Sequence, residues 1–248
     1  MKTCVVLALF LMAGVSLGDI QKRIKGGRAC TADETTHFVF LGIKQSLIGG
    51  NGICAGTIIE NGNWILTAKH CEEDKTFHWF FRWLFPINIK DVTSTLDVTS
   101  RKTFKHETAD VMLIKVKTGM TGMPLMSEAD CSRVMNQINT KPVKMVVPAR
   151  DTQARIDTGI ADVSMCADID VDGVGLSKTK EKIGSWIPGA CHVCGGDSGA
   201  GVIYNNTVFA VITGSGMFGQ HNTVKHYGHI VCDGNIRNWI VTTMNNNP

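Results

Sequence analysis

The chain has 248 residues, is 44% hydrophobic and 19% charged, and carries a formal net charge of +3. That size allows one large domain or two small ones, and the apolar content excludes intrinsic disorder. The near-neutral balance, with no basic stripe, argues against nucleic acid as a partner.

The first element is MKTCVVLALFLMAGVSLG, residues 1–18, where Lys2 precedes an apolar run from Cys4 to Val15 and the small residues Ser16 and Gly18 follow. It reads as a secretory signal peptide, because the apolar run is too short to span a bilayer. No later apolar run reaches spanning length, so a secreted, extracellular chain with no membrane span is expected. Loss of residues 1–23 removes Lys2, Lys22, Arg23 and Asp19 and leaves a charge near +1. Of nine cysteines, Cys4 leaves with the signal and eight remain. An even number in a secreted chain points to disulfides rather than free thiols.

The stretches that follow are short and rich in valine and isoleucine: HFVFLGI, GTIIENGNWILTA, ADVMLIKV, KPVKMVVPA and AGVIYNNTVFAVI. Gly, Asn, Asp and Pro punctuate them, which predicts many short strands and an all-β sandwich or barrel. TFHWFFRWLFPINI, residues 76–89, is the most aromatic stretch. It reads either as a strand buried on both faces or as an exposed apolar patch for a partner, a membrane or an extended ligand. GVIYNNTVFAVI predicts a hairpin turning at Asn205-Asn206. Asn205-Asn206-Thr207 is also an N-glycosylation sequon on that exposed turn. In NIRNWIVTTM, residues 235–244, the residues Ile236, Trp239, Ile240 and Thr243 share one helical face. This tail is expected to be the only substantial helix. The chain shows no internal repeat.

Three motifs carry chemistry. His70 stands in WILTAKHC, directly after an apolar strand; Asp110 lies in ADVMLIKV, at the start of another; Ser198 lies in GGDSGAG, where glycines let the backbone turn sharply and aim two N–H groups at one point. Serine hydrolysis needs a base, a carboxylate that orients the base, and N–H donors for the oxyanion. The order His–Asp–Ser is one of the known orders for that triad. An esterase or lipase is disfavoured, because those enzymes place the serine in GxSxG on a parallel sheet with the order Ser–Asp–His.

Taken together, CAGTIIENGNWILTAKHC, ADVMLIKV, CGGDSG, VCDGNIRNWI and RIKGG resemble the trypsin/chymotrypsin-like serine proteases. The resemblance runs from Ile24 to the C-terminus and implies residues 24–248 as one protease domain of two six-stranded antiparallel β-barrels with a C-terminal helix. It implies a catalytic triad of His70, Asp110 and Ser198, with an oxyanion hole formed by the N–H groups of Gly196 and Ser198. It implies a zymogen with a propeptide at residues 19–23, cut at Arg23–Ile24, after which the α-amino group of Ile24 pairs with Asp197. Disulfides Cys54–Cys71, Cys30–Cys166 and Cys131–Cys232 follow from the same resemblance. No cofactor or metal is implied: Asp91 and Asp97 are too few carboxylates for a calcium loop. The implied partners are a polypeptide substrate, an activating protease and protein inhibitors, and the chain is expected to be a monomer.

The chain departs from that family around the substrate pocket. His192 stands where trypsin-like members carry the pocket-floor aspartate, so preference for basic residues is not expected. The histidine either binds acidic side chains when protonated or fills the pocket while neutral. Gly214 replaces a tryptophan and Ser215 a glycine on the substrate-pairing strand that includes Thr213. Lys69 replaces a small residue before His70. Cys194 lacks its usual partner, which leaves a local Cys191–Cys194 bridge, another bridge, or a metal site of CHVC with His221, His226 or His229. The leading expectation is a secreted serine endopeptidase. The alternative is a catalytically inactive homologue that acts as a binding protein.

Overall fold

A computed structural model of the chain describes residues 24–25, 28–43, 52–73, 87–91, 95–96, 102–116, 121–150, 164–172, 184–185, 192–193, 197–218, 223–232 and 234–248. The signal and propeptide segments, Gly196, Cys191, Cys194, Asp97 and His221 lie outside these residues, as does the aromatic stretch before Ile87.

The valine- and isoleucine-rich stretches form two antiparallel sheets. The first runs, in spatial order, Thr95–Leu96, Ile87–Asp91, Phe38–Ile43, Gly52–Ile59, Trp64–Thr67, Met112–Lys115 and Lys102–Lys105. The second runs Gly184–Ser185, Ser164–Asp172, Val143–Arg150, Gly201–Tyr204, Thr207–Phe218 and Thr223–Ile230, with Arg28–Ala29 paired on Ser164–Asp172. Each sheet therefore has seven strands among the described residues, where six were expected. The extra strands are two-residue pieces at the edges. All four side chains of Trp64–Thr67 are buried, which explains why WILT reads as a continuous rather than an alternating apolar run.

The sheets face one another through a shared core. Phe38 and Ala55 of the first sheet pack with Val202, Phe209 and Ile212 of the second. Between the sheets, residues 121–126 act as a strap. Met123 N–H donates to the Ile58 carbonyl at 2.9 Å, the Met123 carbonyl accepts from Glu60 N–H at 3.0 Å, and Met126 N–H donates to the Val208 carbonyl at 3.1 Å. Gly122 lies flat on this crossing: a Cβ there would meet the Ile59 backbone at 2.3 Å.

The expected hairpin forms, pairing Tyr204 with Thr207. Asn205 and Asn206 have φ of 49° and 56°, the two left-handed residues of a type I′ turn, a conformation that asparagine tolerates. The C-terminal helix spans Gly234–Asn245 and buries Ile236 and Ile240, with Trp239 packed beside them. Full burial of each isoleucine contributes about 1.5–3 kcal/mol.

One expectation is corrected. A second substantial helix, Glu128–Ile138, lies between the two sheets in sequence. Ser127 caps it by accepting from Asp130 N–H, and its buried residues are Cys131, Val134 and Ile138. Cys131, Val134, Met135 and Ile138 fall at i, i+3, i+4 and i+7, a helical stripe inside an otherwise polar segment.

Three disulfides brace the fold: Cys30–Cys166, Cys54–Cys71 and Cys131–Cys232. Near the first, Arg28 bridges Glu34 at 2.6 Å and Asp168 at 3.0 Å. Its hydrogen bond to Glu34 outweighs the cost of partial burial and lowers that carboxyl to about 2. Cys54–Cys71 closes a short loop, so replacing both cysteines by alanine is expected to cost about 3 kcal/mol. A calorimetric Tm about 6–12 °C below wild type would register that loss.

Candidate active site

His70 follows strand Trp64–Thr67 and opens the short helical turn His70–Glu73. The disulfide at Cys71 anchors that turn to strand Gly52–Ile59. Asp110 stands just before Met112–Lys115, the strand that pairs beside Trp64–Thr67. The two residues are forty positions apart in the chain and are joined twice. The His70 backbone N–H donates to Asp110 Oδ1 at 2.8 Å, and His70 Nδ1 meets Asp110 Oδ2 at 2.6 Å.

This double bond fixes the chemistry of the ring. An ionised carboxylate only accepts, so the proton must sit on Nδ1 and Nε2 must carry the lone pair. Burial alone would raise the Asp110 carboxyl. The hydrogen bonds from the His70 ring and amide outweigh it and hold Asp110 below the usual carboxylate range. The carboxylate therefore stays ionised through neutral pH, and the histidine is oriented to take a proton at Nε2.

Ser198 arrives from the second sheet and is half-buried. Its carbonyl accepts from Ala55 N–H at 2.8 Å and lies 3.6 Å from Sγ of Cys71, the residue after His70. Gly199 makes the turn, with φ of 92°, and its N–H donates to the Ile212 carbonyl at 2.7 Å. Gly201 N–H donates to Thr57 Oγ1 at 3.0 Å. The serine loop is thus fastened to strand Gly52–Ile59 before and after the turn. Asp197 is 1% exposed, and its carbonyl accepts from Ala200 N–H at 3.0 Å.

Ile24–Lys25 pairs antiparallel with His192–Val193, placing Ile24 opposite Val193 and Lys25 opposite His192. Thr213 and Gly214 are half-exposed on strand Thr207–Phe218. A Cβ at Gly214 would meet nothing within 4 Å. Ser215 pairs in register with His226. Cys54, His70 and Cys71 lie close enough to suggest a metal site, as do Cys30, Glu34 and Cys166. In both groups the sulfurs are tied up in disulfides and offer no thiolate.

Two residues of this site carry no local sequence signal for the role they take. Asp110 N–H donates to Nε2 of His229, which the sequence offers only as one of several metal-site candidates. Nδ1 of His106 accepts from Ala109 N–H at 3.0 Å. Lys69, singled out as a departure, donates to the His106 carbonyl at 3.3 Å.

Two facing antiparallel sheets carry a histidine–aspartate pair on one and a serine on a glycine turn of the other, the residue types of a serine hydrolase. The family model described as Trypsin matches residues 24–240, and the chain belongs to that family of serine-type endopeptidases. Among curated relatives, snake venom serine protease 3 of Protobothrops jerdonii is 25% identical, over 95% of this chain and 93% of the relative. Venom plasminogen activator TSV-PA of Trimeresurus stejnegeri is 24% identical, over 85% and 84%. Snake venom serine protease KN1 of the same species is 26% identical, over 85% and 84%.

Proposed function

We propose that the protein is a secreted endopeptidase that cleaves polypeptides through an acyl-enzyme. Ser198 Oγ attacks the substrate carbonyl while His70 Nε2 removes its proton. His70 then returns that proton to the leaving amine, and water repeats the sequence to release the acid product. Asp110 holds the ring tautomer and stabilises the imidazolium. The N–H groups of Gly196 and Ser198 receive the oxyanion. The observation that carries this reading is the paired bond from His70 to Asp110, at 2.8 and 2.6 Å, which leaves Nε2 as the basic nitrogen.

Activation after Arg23 is part of the same reading. The pairing of Ile24 with Val193, four residues before the buried Asp197, supports a new amino group at Ile24 reaching that carboxylate. Such an ion pair holds a loop in one geometry, whatever its net stability. Secretion agrees with the leader-like residues 1–18, with the three disulfides and with venom relatives. No helix among the described residues is long and apolar enough to cross a membrane. His192, where trypsin-like members carry an aspartate, argues for a pocket that does not select basic side chains.

The test is covalent labelling with a serine-directed fluorophosphonate, applied to the uncut protein and to protein cut after Arg23. Labelling is expected only after the cut and is expected to vanish in Ser198→Ala. Folded, cut protein that takes no label would make it a binding homologue instead.

A further inference from the structure

The loop between strands Lys102–Lys105 and Met112–Lys115 hangs from two imidazoles. Three successive amides are taken up by ring nitrogens. His106 Nδ1 accepts from Thr108 N–H at 3.3 Å and from Ala109 N–H at 3.0 Å, and His229 Nε2 accepts from Asp110 N–H at 3.0 Å. His106 and His229 are 6% and 5% exposed. The His106 ring stands edge-on to Trp239 at 5.1 Å. His229 comes from strand Thr223–Ile230, so this bond crosses from the second sheet to the Asp110 loop.

A ring nitrogen accepts only through an unprotonated lone pair. His106 must therefore carry its proton on Nε2 and His229 on Nδ1, and both rings must be neutral. A buried imidazole is costly unless it is hydrogen-bonded. We propose that His106 and His229 are positioning residues for Asp110, and that protonation of either one disengages the Asp110 loop and limits activity at acid pH. The proposal rests on reading Asp110 as the orienting carboxylate of His70. A proton added to either acceptor nitrogen would point one N–H at another, removing the bond and repelling the loop.

The charges around the two rings differ. Burial, then the Lys69 ammonium, hold His106 below its ordinary value, against an opposing pull from Glu107. Trp239 covers it from the C-terminal helix and carries no charge. His229 faces Asp110, from whose amide it accepts, and through Asp110 the His70 ring. Its partner on the neighbouring strand is the uncharged Val211. At His106 burial and the Lys69 ammonium act together to keep the ring neutral.

The test compares His229→Leu and His106→Leu with His229→Gln and His106→Asn. Gln Oε1 can stand where Nε2 stands and Asn Oδ1 where Nδ1 stands, and neither titrates. In cut protein at pH 8, each leucine variant is expected to lose about 100-fold in kcat with little change in KM, as a carboxylate displaced by ~1 Å would. The amide variants are expected to restore most of it. The acid limb of log kcat/KM is expected to steepen to a slope of up to about three in wild type and up to about two in each amide variant, the remaining protons being those of His70 and of the other ring. Leucine variants with wild-type kcat, or a wild-type slope of one, would overturn the proposal. Should a leucine variant not fold, the slope in the amide variants decides. Should cut wild type take no fluorophosphonate, the endopeptidase reading fails by itself. The downfield proton resonance of His70 Nδ1 then decides: present in wild type and His229→Gln but lost in His229→Leu supports the proposal, and unchanged in all three overturns it.

Discussion

Asp110→Asn is expected to lower kcat at neutral pH by about 10⁴-fold while leaving the fold in place, which is the effect of this change in the general Ser–His–Asp template. The geometry explains why so small a change should cost so much. Asp110 accepts twice, from the His70 backbone N–H through Oδ1 and from the His70 ring through Oδ2. Asparagine has one acceptor atom. If it keeps the backbone bond, its NH₂ group faces His70 Nδ1 and forces the ring proton onto Nε2, where the base should be. If it flips, the ring keeps its tautomer but the His70 amide faces an N–H donor. Steady-state kinetics with a peptide substrate, alongside circular dichroism to confirm folding, would check this. A loss below tenfold would mean that Asp110 does not set the tautomer.

The same pair constrains the pH dependence. Because the folded Asp110 carboxyl lies below its unfolded value, its contribution to stability is complete above about pH 4–5 and is lost only as pH falls through the lowered value. Asp110 therefore stays ionised between pH 5 and 8. An acid loss of activity in that window is therefore not a titration of Asp110.

How much of this was readable in the sequence depends on how local each cause is. Asn205 and Asn206 announced their turn because two adjacent residues that tolerate positive φ sat between alternating apolar runs. His70 and Ser198 stood out because their motifs are contiguous, and Asp110 because it begins an unmistakable strand. The helix Glu128–Ile138 did leave a signal, Cys131, Val134, Met135 and Ile138 at helical spacing behind the Ser127 cap, but the stripe is short, its flanks are polar, and Cys131 stood out first as a disulfide partner. The roles of His106 and His229 were less legible still. His229 lies 119 positions from the amide it accepts, and nothing near either histidine distinguishes an acceptor for a loop from a pocket residue. Lys69 stood out as a departure beside the base, and its long side chain donates to the His106 carbonyl at 3.3 Å, at the start of the same loop.

Gly199→Ala is expected to be the most damaging single methyl in the molecule, costing about 4 kcal/mol or more and abolishing fluorophosphonate labelling in whatever protein folds. Two causes act together. The residue has φ of 92°, outside the range that L side chains adopt comfortably, and a Cβ there would sit 2.1 Å from both the Ala55 carbonyl oxygen and Thr67 Oγ1. Neither neighbour is free to retreat: Thr67 Oγ1 donates to that same carbonyl at 2.7 Å inside the first sheet. The glycine cannot retreat either, because its N–H is held by Ile212 at 2.7 Å in the second sheet. The methyl would therefore have to push the sheets apart at Ser198, the point where the candidate nucleophile meets the histidine turn. Gly214→Ala is the matched control. The same methyl there meets nothing within 4 Å, so its effect on stability should stay within about 0.5 kcal/mol. Urea denaturation of the two variants beside wild type separates crowding at the seam from a general intolerance of alanine for glycine. Equal destabilisation by both would show that the close approach at Gly199 is not what holds the serine in place.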